Sequence, residues 1–123
     1  MQNRFGPLNR EVIEVTIANG QSQATEINMG RKSLVGIEMP ASWTAAVISF
    51  LARGNADGTA LPVYNLDGAE MTLAGAAASR YLCVDGTQLT GAQLLTVRSG
   101  TAGSPVNQGA ARTLRLIVKP LDF

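Results

Sequence analysis

The sequence predicts an all-β fold, a single-domain antiparallel β-sandwich of about nine short strands. Two patterns support this prediction. Apolar residues alternate with polar ones in short runs, which is the period of a half-buried strand. Turn-forming residues separate these runs at short intervals, as in sandwiches and barrels. The length of 123 residues suits one domain with its own core.

The first strand is the clearest. Ile13, Val15 and Ile17 alternate with Glu14 and Thr16, so one face of this strand should meet the core and the other should meet solvent. The same alternation predicts a second strand with Ile27 and Met29 on one face, and a third with Val35, Ile37 and Met39 on one face. Further strands are predicted at 47–53, 61–66, 70–73, 79–84, 94–98 and 113–118.

Glycine-containing segments predict the connections. Asp57, Asp67 and Asp85 each precede a glycine. In such a pair the aspartate can bond nearby backbone and the glycine can supply a positive φ, so tight turns are expected at all three positions. A carboxylate pair for glycoside hydrolysis or a calcium site would be the competing interpretations. Residues 88–93 are expected to form one helical turn, and residues 99–110 a loop.

The residue inventory argues against an enzyme. Histidine is absent, which removes the usual proton shuttle at neutral pH and any Ser-His-Asp or Cys-His site. The single cysteine, Cys83, lies in an apolar run and is expected to be a buried structural thiol. We therefore predict no catalytic residues, no cofactor and no metal site.

The charge and hydrophobicity of the chain limit the kinds of partner that are expected. The net charge of +1 excludes a strong general attraction to nucleic acid. Arg98, Arg112, Arg115 and Lys119 lie in a segment without acidic residues, and they form either solvated strand faces or a mildly basic contact surface. No apolar run approaches the ~20 residues of a membrane helix, and no apolar signal segment follows the N-terminus, so a protein made in the cytoplasm is expected.

The pattern divides the chain into an N-terminal arm at 1–10, a sandwich at 11–120 and a C-terminal tail at 121–123. The arm contains Arg4, Phe5, Leu8 and Arg10 without strand periodicity. It is either a frayed terminus or a segment that docks on a partner, with Phe5 and Leu8 as apolar anchors.

Trp43, the only tryptophan, lies in a loop that enters a strand. A lone tryptophan in this position is either a lid over the core or a stacking platform for a sugar.

Several stretches together resemble small virion structural proteins of tailed bacteriophages, in particular capsid cement or decoration proteins. These stretches are VTIANG at 15–20, LVGIEMPASWTAA at 34–46, DGAE at 67–70, VRSGT at 97–101 and PVNQ at 105–108. The resemblance implies a jelly-roll-like sandwich without catalytic residues. It implies binding to the major capsid protein and to further copies of this chain, at the capsid surface, after synthesis in the host cytoplasm. The alternative is a tail, fibre or adhesin module that binds carbohydrate through Trp43.

Overall fold

The computed structural model describes residues 10–121, and this part of the chain forms an all-β sandwich without a helix. Its strands belong to two antiparallel sheets. They are β1 (Glu11–Ile17), β2 (Ile27–Asn28), β3 (Lys32–Glu38), β4 (Ile48–Arg53), β5 (Leu61–Pro62), β6 (Thr72–Leu73), β7 (Tyr81–Cys83), β8 (Leu94–Ser99) and β9 (Arg112–Pro120).

The strand order is nested. The four-stranded sheet has the order β1-β9-β3-β7, and the five-stranded sheet has the order β2-β8-β4-β5, with β6 also paired to β4. Four antiparallel pairs therefore enclose one another along the chain: β1 with β9, β2 with β8, β3 with β7 and β4 with β5. The first and last strands lie side by side, and the chain crosses repeatedly between the sheets.

The core lies between the sheets, and the alternation predicted for β1 is confirmed. Val15 and Ile17 are buried, Ile13 packs against the same cluster, and Glu14 and Thr16 face outward. From the five-stranded sheet, Phe50 enters the core with no exposed surface. Burial of such side chains is the main favourable contribution to folding.

The inward face predicted for β3 is wrong in its first half. The pairing of β3 with β9 shifts register between Leu34 and Gly36. This irregularity places Leu34 and Ile37, three positions apart, in the core, while Val35 is only half-buried. A bulge inserts one residue and resets the alternation, so period two alone assigned Val35 to the wrong face. Ile37 and Met39 are buried as predicted.

The predicted turns are present at all three positions, and the aspartate side chain forms the expected bond at two of them. The Oδ1 atoms of Asp67 and Asp85 accept the backbone N–H groups of residues two further on, at 2.9 and 3.0 Å. At the third turn Asn55 Oδ1 takes this role and accepts the N–H of Asp57. Of the three following glycines, only Gly68 has a positive φ. The segment 88–93 forms hydrogen-bonded turns without a helix.

Candidate functional site

Most of the predicted arm lies outside the described residues, including Arg4, Phe5 and Leu8. Arg10 is the first described residue and is exposed, immediately before β1. Because β1 is an edge strand of the four-stranded sheet, the arm joins the sandwich at the border of that sheet. One border of the outer face of this sheet is β1, which begins directly after Arg10.

An apolar row crosses this outer face. Cross-strand pairing aligns Val12, Ile117, Gly36 and Cys83. Ile117 is 8% exposed, although it faces away from the core, whereas Val12 and Tyr81 are 42% and 53% exposed. The Tyr81 ring lies over Gly36, where a Cβ atom would overlap it. We call Val12, Gly36, Tyr81, Cys83 and Ile117 the docking face.

A charged ladder runs beside this row. The Arg115 guanidinium donates to Glu38 at 2.8 Å and to Glu14 at 3.2 Å. The hydrogen bond to Glu38, and then that to Glu14, raise the pKa of Arg115 above its ordinary value. All three side chains are 43–59% exposed, so solvent screens these pairs and they stabilise the fold little.

Cys83 corrects the expectation of a buried thiol, because its side chain is exposed. It lies in β7, an edge strand in which Leu82 turns toward the core and the two flanking residues turn away. The surrounding apolar run suggested burial, but in a strand adjacent residues must point to opposite faces.

Neither interpretation of the C-terminal basic residues holds for all four of them. Arg98 is only 5% exposed and lies in the five-stranded sheet. Arg112, Arg115 and Lys119 lie in β9 of the other sheet. Arg112 bonds Gln108 and Thr44, and Arg115 is held by two glutamates, so these residues do not make one basic surface.

Arg98 instead organises a polar network on the outer side of the five-stranded sheet. It donates from Nε to Ser49 Oγ at 2.9 Å and from Nη2 to Glu70 Oε2 at 2.7 Å. The Glu70 carboxylate also accepts the N–H of Ala102, and Ser49 donates to the Gly100 carbonyl. The network therefore ties β4, β8, the loop after β8 and the hairpin between β5 and β6 together.

Trp43 is half-buried and packs against the core. Its ring N–H donates to the carbonyl of Ala46 at 3.1 Å. This placement fits a lid over the core, with both the apolar ring and the polar nitrogen satisfied within the domain.

A cleft of about 350 Å³ lies between the β5–β6 hairpin and the turn after β7. Two exposed apolar residues border it, Tyr64 at 58% and Leu66 fully exposed. Nothing in the sequence pattern singles it out, because its two walls, 63–71 and 85–88, come from separate segments of the chain. The lining residues are Val63, Tyr64, Asn65, Leu66, Met71, Asp85, Thr87 and Gln88.

Within residues 10–121, no group of three or more Cys, Asp or Glu side chains is placed to share a metal ion. The same residues contain no helix long and apolar enough to cross a membrane. Comparison of the chain with protein-family models, with curated proteins and with solved structures gives no match.

Proposed function

We propose that this chain is a non-enzymatic structural protein of a tailed-phage virion that binds the outside of the capsid shell and stabilises it. The observation that carries the proposal is the docking face. Its exposed apolar residues, Val12 at one edge of the sheet and Tyr81 at the other, flank the buried Ile117. Charged side chains lie beside them, and apolar and aromatic residues next to a polar rim are typical of a protein–protein interface.

The nested strand pairing supports the same proposal. Four enclosing antiparallel pairs, divided between two sheets as described above, support the jelly-roll arrangement that the resemblance implies, with β6 as an addition. Jelly rolls occur in viral capsid domains and in lectins. Since one fold serves many functions, the strand order supports a virion role only together with the surface described above.

In this proposal the major capsid protein and further copies of the chain are the partners. The arm would extend from the border of the docking face onto a neighbour, with Phe5 and Leu8 as anchors and Arg4 and Arg10 pairing with acidic groups. The carbohydrate-binding alternative relied on Trp43, whose ring packs against the core, so we do not assign that function to this residue.

The test uses virions produced in cells that carry the gene for this chain, and particles produced in the same way without the chain. We expect mass spectrometry to find the chain at a constant number of copies per virion, and electron microscopy to place it on the capsid. Purified chain should co-sediment with the deficient particles. Absence from virions would refute the proposal, and a tail location would refute the capsid assignment.

A matched pair of variants tests the docking face itself. Val12→Asp places a charge in the apolar row, whereas Leu61→Asp alters a comparably exposed residue, also on an edge strand, in the other sheet. We expect Val12→Asp to weaken particle binding by about tenfold or more, because an unpaired charge would be buried on docking. Leu61→Asp should bind as the parent does. Equal binding by the two variants would exclude the docking face.

A further inference from the structure

Two short hairpin strands and a turn form the walls of the cleft defined above. The hairpin closes through Asn65, whose N–H donates to the Ala69 carbonyl at 2.8 Å, and through Met71 N–H bonding the Val63 carbonyl at 2.8 Å. Across the cleft, the Gln88 Nε2 group donates to Asn65 Oδ1 at 3.1 Å. This bond joins the two walls, so the cleft is formed before any ligand arrives.

The ion pair between the buried Arg98 and the partly buried Glu70 ties the hairpin to β8. Glu70 is bridged to Tyr64 across the hairpin, and its carboxylate bonds Arg98, whose side chain is 6% exposed. Tyr64 therefore projects from a rigid hairpin. An aromatic ring that remains 58% exposed on such a support loses little conformational entropy on binding a ligand.

The polar groups in the cleft are a carboxylate, two amides and the hydroxyls of Thr87 and Tyr64. Asp85 uses Oδ1 to accept both the N–H and the hydroxyl of Thr87, at 3.0 and 2.8 Å. Its Oδ2 has no hydrogen-bond partner among the described residues. The bonds from Thr87, the backbone one first, lower the pKa of Asp85, so at neutral pH the group is an acceptor.

These groups discriminate between classes of ligand. No Lys or Arg lines the cleft, so a phosphate or carboxylate would meet the charge of Asp85 without compensation. A purely apolar ligand would remove water from Asp85, Asn65 and Gln88. It would offer no hydrogen bonds in place of those that these groups make to water. A neutral sugar satisfies both conditions, since its C–H face packs on an aromatic ring and its hydroxyls bond carboxylate and amide groups.

We propose that this cleft binds a neutral pyranose sugar, with Tyr64 as the stacking platform and Asp85, Asn65 and Gln88 as hydrogen-bond partners. The volume of about 350 Å³ lies at the lower end of small-molecule sites and suits one or two sugar rings. The cleft and the docking face share no residue, so glycan binding goes beyond capsid binding and can fail independently of it.

The experiment is a titration of the ¹⁵N-labelled chain with the methyl glycosides of glucose, galactose, mannose and N-acetylglucosamine, followed by NMR. A ligand of about twelve non-hydrogen atoms with ordinary efficiency has a Kd of about 1–10 mM. At least one of these sugars, at about 50 mM, should shift the amide resonances of Asn65, Thr87 and Gln88. Those of the docking face should not move.

Variants separate the sugar site from a general apolar surface. Tyr64→Ala removes the ring on which the sugar would stack. It should raise Kd about tenfold or more, as the loss of an aromatic stacking platform does for nucleobases. Tyr64→Phe keeps the ring and should keep Kd within about threefold. Tyr81→Ala removes a comparably exposed tyrosine from the docking face and should leave Kd unchanged. Melting curves verify that each variant is folded.

Three results would overturn the proposal. The first is the lack of shifts with all four glycosides, and the second is stronger binding of glucose 6-phosphate than of glucose. The third is binding of arginine methyl ester without binding of any sugar, which would assign the cleft to a basic side chain of a protein partner. If the parent chain binds a sugar but does not bind the particles, only the capsid proposal is contradicted.

Discussion

At Gly100 the backbone adopts a φ of 90° immediately after β8. A Cβ atom there would lie 2.5 Å from the Ser104 carbonyl oxygen and 2.6 Å from the Val106 nitrogen. Both neighbours are backbone atoms, so they cannot move aside as a flexible side chain could. The residue also carries two long-range bonds, since its N–H donates to the Val47 carbonyl and its carbonyl accepts from Ser49.

We therefore expect Gly100→Ala to lower the free energy of unfolding by about 2–4 kcal/mol, from a strained φ and overpacking together. Gly103, in the same loop, has no positive φ and no atom within 4 Å of a Cβ position. Gly103→Ala should stay within about 0.5 kcal/mol of the parent. Urea denaturation measures both, and equal losses would show that Gly100 tolerates a side chain.

At the scale of elements, the buried ion pair between Arg98 and Glu70 joins strand β8 to the β5–β6 hairpin. The two side chains are 6% and 15% exposed. Removing one partner from such a pair leaves the other charge buried without compensation, which costs more than the pair itself contributes. The hairpin that carries Tyr64 should therefore depend on this contact.

We expect Glu70→Ala to destabilise the fold by about 3 kcal/mol, since it leaves the Arg98 charge buried without its carboxylate partner. Combining it with Arg98→Met should restore part of the loss, because the buried charge is then gone as well. Glu14→Ala, which removes an exposed partner of Arg115, is the control and should change stability little. A double variant less stable than Glu70→Ala alone would contradict this account of the pair.

For the whole molecule, the sandwich is complete between β1 and β9, which pair over seven positions from Glu11 to Ile17. Deleting residues 1–10 removes none of the strands β1 to β9. We expect the truncated chain to melt within a few degrees of the parent and to bind particles more weakly, because the proposed function assigns the contacts of residues 1–10 to partners. A markedly lower melting temperature with unimpaired particle binding would show instead that the arm packs on its own domain.

Local patterns in the sequence were sufficient to predict the fold class. The alternation at Ile13, Val15 and Ile17 corresponds to β1, and the Asp67 turn closes a hairpin as expected. Pro62 occurs in an edge strand, where its missing N–H is tolerated. These features depend on residues within a few positions of one another, so their physical cause can be recognised in a single segment.

Other features depended on which strands pair. The bulge at β3 changed the face of Val35, the edge position of β7 exposed Cys83, and the approach of Glu70 allowed Arg98 to be buried. In each case the deciding contact comes from a distant segment, and the sequence pattern around the residue does not contain it.

The two candidate binding regions, the arm and the cleft, also differ in whether the sequence pattern could predict them. The apolar and basic residues of the arm are adjacent in the sequence, so a partner-binding role could be predicted for Arg4, Phe5, Leu8 and Arg10, and it stays a prediction. The cleft could not be predicted, because Asn65 and Gln88 are separated by 23 positions. The sequence by itself determined strands, turns and the absence of histidine chemistry. Only the tertiary structure decided which side chains are buried and which distant ones meet, since both depend on strand pairing across the whole chain.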